Sequence, residues 1–119
     1  MDFIENINEN WDVKYEEIGD IGDPVFMLID IDNDAQHKFY PEDLQKLTEF
    51  LTVIKDNPKL NISKDLNESY DLYYGSYCGE YLLTIKDIDI DERFNFYIED
   101  IKKISGFLSR LKEFGVLKI

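Results

Sequence analysis

The chain has 119 residues, with 13 Lys and Arg against 26 Asp and Glu and a formal net charge of −13. An apolar share of 44% and an aromatic share of 14% supply a core, which excludes wholesale disorder, and the length predicts a single domain over 1–119. No uncharged apolar run of about 18 residues is present to cross a bilayer, the acidic opening MDFIENINEN lacks a secretory signal's basic and apolar regions, and one cysteine excludes an intramolecular disulfide, so a soluble cytoplasmic protein is expected.

Residues 11–18 alternate Trp11, Val13 and Tyr15 against Asp12, Lys14 and Glu16, the period of a half-buried strand. Turn residues follow from Gly19 to Pro24, because Gly tolerates positive φ and Pro presets a turn. The run VFMLI predicts a second strand over 25–32, with a turn at 33–36 and a short third strand at 37–40. Pro41 suits the first turn of a helix, and Glu42 and Asp43 favour the positive end of its dipole. Leu44, Leu47, Leu51 and Ile54 recur at helical spacing with Phe50 beside them, and Asn57-Pro58 ends the helix. Residues 56–68 read as a connecting loop. Strands are then expected at 69–74, 81–89 and 93–97, with a turn over 75–79. The last helix, from Ile98 or Glu99, carries Ile101, Ile104, Phe107, Leu108, Leu111 and Phe114 on one stripe and stops at Gly115.

Shifted by 57 residues, segment 25–55 aligns with 82–112 without a gap, and twelve of 31 positions are identical. Helical periodicity alone would produce part of this match. The shared D-I-D-x-D (Asp30 to Asp34, Asp87 to Asp91) and F-Y-x-E-D (Phe39 to Asp43, Phe96 to Asp100) strings lie outside that periodicity. The expectation is a tandem β-β-(β)-α duplication, with one unit at about 11–56 and the second at about 68–115. The fold class expected is α+β: one antiparallel sheet of about five or six strands with both helices on one face.

The aspartate strings invite a calcium loop. Such a loop starting at Asp30 needs Gly where Ala35 stands and a bidentate Glu where Pro41 stands; the second copy offers Glu92 and Ile98 there. No metal and no cofactor is therefore expected. The lone His37 aligns with Phe94 and reads as structural, and Cys78 has no basic neighbour to activate its thiol. No phosphate-binding loop, dinucleotide fingerprint or nucleophile elbow is present, so a non-enzyme is expected.

Charge narrows the partners. An acidic surface repels nucleic acids and anionic membranes and attracts basic proteins, although it also simply serves solubility. Residues 1–57 hold four Lys or Arg against fifteen Asp or Glu, a balance of −11; residues 58–119 hold nine against eleven, a balance of −2. Five tyrosines lie between Tyr70 and Tyr81, a residue type that combines an apolar face, a polar tip and little rotamer entropy. Alternation in the strand at 69–74 puts Tyr73 on the face opposite Leu72, and Tyr73 and Tyr77 are the two expected to be exposed. The partner-binding set expected is Asp20, Asp23, Asp30, Asp32 and Asp34 together with Tyr73 and Tyr77. In topology the tandem plan resembles whirly-type single-strand binders, whose basic sheet faces this chain lacks. In charge and size it resembles the small acidic immunity proteins of bacterial toxin systems. That resemblance implies a compact, non-catalytic inhibitor of a basic toxin or nuclease, and a monomer is the oligomeric state expected. The alternatives are a phage-encoded nucleic-acid mimic that blocks a defence nuclease or CRISPR effector, and a calcium-binding or small-molecule-binding domain.

Overall fold

A computed structural model describes residues 3–18 and 23–115. In chain order the elements are β1 (Phe3–Asn6), β2 (Trp11–Ile18), β3 (Asp23–Asp30), β4 (Ala35–Phe39), α1 (Pro41–Asp56), β5 (Ile62–Asp65), β6 (Tyr70–Tyr77), β7 (Glu80–Asp87), β8 (Glu92–Phe96) and α2 (Ile98–Glu113). Every strand pairs antiparallel with its chain neighbour, giving two four-stranded sheets ordered β1-β2-β3-β4 and β5-β6-β7-β8. The α+β class stands, but the expected single sheet of about five or six strands is corrected to two sheets, because hairpins close every ladder within its own half. The two extra strands, β1 and β5, are edge strands of four residues each, and β5 lies inside the stretch read as a loop. Residues 62–65 present only Ile62 as an apolar residue, too little alternation to announce a strand. Among the described residues, no helix is long and apolar enough to cross a membrane.

The shared strings serve local geometry. Asp30 opens a four-residue turn, with its carboxylate accepting from Asn33 N at 3.4 Å and Asn33 Nδ2 at 2.8 Å. Asp87 opens the matching turn and accepts from Asp89 N at 3.1 Å. Asp34 and Asp91 close these turns at φ of 52° each, the left-handed region that aspartate tolerates better than most side chains. Strand β3 thus ends at Asp30, so Asp32 lies in the turn rather than on the expected strand. The F-Y-x-E-D strings start the helices. Tyr40 N donates to Asp43 Oδ2 and Tyr97 N to Asp100 Oδ2, both at 3.0 Å, which is one half of a capping box with Asp in place of Glu.

A further match was hidden by a change of spacing. Asn8 Oδ1 accepts from Asn10 N and Trp11 N at 2.8 and 3.0 Å; Asn67 Oδ1 accepts from Ser69 N and Tyr70 N at 2.8 and 2.9 Å. These positions are 59 apart rather than 57, because the stretch from Trp11 to Asp30 is two residues longer than that from Tyr70 to Asp87.

The chain divides into two compact units, one of Met1–Gln45 with Lys103–Ile119 and one of Lys46–Lys102. Each helix therefore ends up with the strands of the other half. Within the first unit Lys103 Nζ donates to Ile7 O at 3.0 Å, the Phe107 ring lies 6.0 Å from Phe26, Phe114 stacks on Phe3 at 5.5 Å, and Arg110 pairs with Glu5. Within the second, the aligned Lys46 Nζ donates to Leu66 O at 3.3 Å, and Glu49 pairs with Lys64 at 3.5 Å. The six residues Leu47, Phe50, Leu51, Ile104, Phe107 and Leu108 are all buried, three in each unit. The exchange also evens the charge. The first unit holds six Lys or Arg against fourteen Asp or Glu, a balance of −8, and the second seven against twelve, a balance of −5.

Two outcomes follow from this packing. Phe107→Ala, at a ring only 3% exposed, should destabilise the chain by about 3–5 kcal/mol in denaturant titration, the range for truncating a core aromatic. A protease site introduced at 57–61 and cleaved should leave the two fragments eluting as one particle, separable only in denaturant, because the first unit requires α2 from the second fragment.

Candidate functional site

The outer face of the second sheet carries the candidate site. Register places Ser63, Tyr73, Thr84 and Asn95 opposite one another in a row across β5, β6, β7 and β8. Leu72, Ile85 and Phe94 form the adjacent row on the opposite, core-facing side and are buried, so the outward direction of the first row is set by alternation. The row crosses a groove of about 710 Å³, whose lining also includes Asn61, Gly75, Tyr77, Leu82 and Arg93. Every lining residue belongs to the second unit.

Local chemistry holds the groove open and shapes its ends. Thr84 Oγ1 donates to Asn95 Oδ1 at 2.7 Å. Asn61 Oδ1 accepts from Ser76 N at 3.1 Å, and a Cβ at position 75 would stand 2.4 Å from that same oxygen. Gly75 is thus the residue that lets the Asn61 amide reach the β6 backbone. At the end of the β6–β7 hairpin, Cys78 and Gly79 form a two-residue loop with φ of 53° and 86°, both positive as the type I′ turn requires. Cys78 is exposed at this tip.

The five tyrosines sort by role. Tyr74 is 2% exposed, and its hydroxyl donates to Pro58 O at 2.6 Å. Tyr81 stacks on it with ring centroids 5.7 Å apart and donates to Lys59 O at 3.3 Å. Tyr70 bonds the buried Asp87 through its hydroxyl. Tyr73 and Tyr77 remain exposed, at 41% and 71%, and both line the groove. Tyr73 Oη donates to Asp71 at 3.4 Å.

The expected acidic set is only partly gathered. Asp30, Asp32 and Asp34 meet at the β3–β4 turn, where Asp32 and Asp34 are exposed and Asp30 is half-buried. Asp20 lies outside the described residues; Asp23 opens β3, and its side chain is also outside them. The aspartates belong to the first unit and the two tyrosines to the second. His37 is 6% exposed, with its ring 6.0 Å from Trp11. Among the described residues, no group of three or more His, Cys, Asp or Glu side chains is placed to hold a metal ion.

Sequence reading did not find Asn61, Ser63, Thr84, Arg93 and Asn95. They come from three separate stretches of chain and meet only through strand register. The outward parity of Tyr73, Gly75 and Tyr77 on β6 was the one signal available beforehand. Compared with protein-family models, with curated proteins and with solved structures, the chain matches none.

Burial raises the Tyr15 and Tyr74 phenols above the ordinary value, with the Glu17 charge adding to the first and Tyr81 to the second. Tyr70 goes highest, from 10.0 to about 12, through burial first, then the charges of Asp87 and Asp89 and the hydrogen bond to Asp87. A folded value above the unfolded one means the neutral phenol is favoured in the fold. Its stabilisation is complete below pH 10 and is lost as pH rises through about 12. Phenolate absorbance should show a native step near pH 12 that is absent in Tyr70→Phe and moves toward 10 in Asp87→Asn.

Proposed function

We propose that this chain is a non-catalytic inhibitor that binds and masks a basic partner protein, acting as a cytoplasmic, monomeric immunity protein against a toxin of the nuclease type. The observation that carries this reading is the pairing of a −13 charge with two exposed tyrosines, Tyr73 and Tyr77, in one open groove. Long-range attraction raises the encounter rate with a basic surface. Tyrosines supply the desolvated anchors that the close complex needs. Carboxylates on exposed turns, Asp32 and Asp34 among them, would occupy the positions at which a nuclease holds phosphates.

The two halves belong to one tandem duplication in this reading. It is supported by the twelve identities and by the paired turn, cap and lysine bonds of Asp30 and Asp87, Asp43 and Asp100, and Lys46 and Lys103. A duplicated scaffold lets one half keep its shape while the other half's surface changes.

The test is association kinetics with a basic nuclease of a toxin system as the partner. Converting Asp20, Asp23, Asp30, Asp32 and Asp34 to Asn retains an acceptor oxygen for the Asp30 turn and a residue that tolerates the φ of Asp34, so the fold should persist. The on-rate should fall on the order of tenfold. The wild-type on-rate should fall steeply with salt, because exposed charges are screened beyond about 8–10 Å at ordinary ionic strength. Neutralising Asp65, Glu68, Glu92 and Glu113 instead should do much less. A salt-insensitive on-rate, or equal effects from the two sets, overturns the reading.

A further inference from the structure

Asp65, Asp71, Lys86 and Arg93 share one row across the outer face of the second sheet, one residue from each of β5, β6, β7 and β8. Across the strands this row carries two negative charges and then two positive ones. The corresponding first-sheet row is Asn6, Asp12, Ile29 and Gln36, with a single charge to which Asn6 Nδ2 donates at 2.8 Å. The order of signs therefore belongs to the second sheet alone. Asp65 and Arg93, at the two ends of the row, are exposed, and among the described residues neither is held in an ion pair. Between them, Lys86 lies 3.6 Å from Asp91.

Such a row is complementary to itself. A two-fold axis parallel to the strands sets a second copy face to face and reverses its strand order, so that β8 lies over β5 and β7 over β6. Both positive charges of each copy then stand over both negative charges of the other. An axis across the strands at this row keeps each strand over its own copy, with Asp65 against Asp65 and Arg93 against Arg93. Charge thus selects one arrangement of the two. The rest of the face agrees with it. The next row sets Tyr73 over Thr84 and Ser63 over Asn95, and the row beyond sets Gly75 over Leu82, a gap over a bulky side chain. Side chains of two aligned sheets interdigitate in this way across about 10 Å.

We propose that this face takes a second copy of the chain, in a symmetric dimer registered by Asp65–Arg93 and Asp71–Lys86 pairs between copies, which covers Tyr73, Tyr77 and the groove. Four strands wide and running from Asp71 to Tyr77, the face measures roughly 20 by 20 Å. Two such faces hide on the order of 1,000 Å², the lower limit for a specific contact, so the pair is weak and forms as concentration rises. The pairing itself needs no other protein. Its consequence rests on the inhibitor reading: the chain acts on its partner as a monomer, and the tyrosines that anchor a partner cannot at the same time be covered by a second copy. The dimer is then the resting form of the free chain.

The experiment is sedimentation velocity of the whole chain over roughly 0.01–1 mM, the range in which a contact of this size associates. The wild type should pass from monomer to dimer across that range. Asp65→Lys and Arg93→Glu should each weaken pairing by about tenfold or more, because each sets like charges together at both ends of the row. Their equimolar mixture should regain it, because both contacts then join opposite signs. Both positions are exposed, so thermal melting of each variant should match the wild type. A wild type that stays monomeric at the highest concentration, pairing that ignores both variants, or a mixture that fails to recover it would each overturn the proposal. A basic nuclease of a toxin system, added to the dimer, should yield complexes that hold one copy of the chain; complexes that keep the paired form overturn the resting-state role. Salt-sensitive nuclease binding by a chain that never pairs overturns the dimer and spares the inhibitor reading. Pairing restored in the mixture, with no salt-sensitive basic partner, does the reverse.

Discussion

Tyr40 is the only residue between β4 and α1, and Tyr97 is the only residue between β8 and α2. Each donates its N–H to an aspartate one turn into the helix and accepts a helical N–H on its carbonyl, Leu44 at 3.0 Å and Ile101 at 2.9 Å. A strand that passes into a helix through one capping residue leaves no loop in which the chain could turn back. Much follows from that constraint. From Lys46 onward α1 lies in the unit of the second sheet, and from Lys103 onward α2 lies in the unit of the first. The two aligned lysines then donate to carbonyls of the β5–β6 and β1–β2 connections, at Leu66 and Ile7. Each sheet obtains its covering helix from the half that did not build it.

The same economy explains the aspartates. A string of carboxylates at alternate positions resembles a cation loop on paper. Here the first carboxylate of each string bonds the backbone of its own turn, and the last adopts the left-handed conformation that closes the hairpin. In the second turn Asp87 is 8% exposed and engages both Asp89 N and the Tyr70 hydroxyl. Both bonds hold this carboxylate to its own half of the fold. The middle aspartates, Asp32 and Asp89, remain exposed and contribute charge. Backbone geometry thus accounts for the strings without a ligand.

Scaffold and surface part company on the second sheet. Burial demands the same core-facing residues in both halves, and they agree closely: Phe39 with Phe96, Phe50 with Phe107, Leu51 with Leu108. The outward rows are under no such demand. One row consists of Ile4, Lys14, Met27 and Lys38; the other consists of Ser63, Tyr73, Thr84 and Asn95, with Arg93 two residues before Asn95. A polar row flanked by exposed aromatic rings, with Gly75 allowing Asn61 to close one end, is a surface suited to recognition rather than to packing.

Legible in the chain itself were the α+β class, both helices, the interior strands, the internal match and the exposure of Tyr73 and Tyr77. Each of these rests on periodicity or on a cap or turn residue, which act within a few positions of the chain. Edge strands β1 and β5 escaped because a strand with one half-covered face and few apolar residues carries no alternation to read. The match at Asn8 and Asn67 escaped because a hairpin longer by two residues shifts the register from 57 to 59. Tertiary structure alone decided that there are two sheets, that each helix joins the other half's strands, and that the charge balance of −11 and −2 by sequence half becomes −8 and −5 by folded unit. It also decided the groove, since Asn61, Tyr73, Thr84 and Asn95 are distant in the chain and share one face only when antiparallel pairing sets four strands side by side.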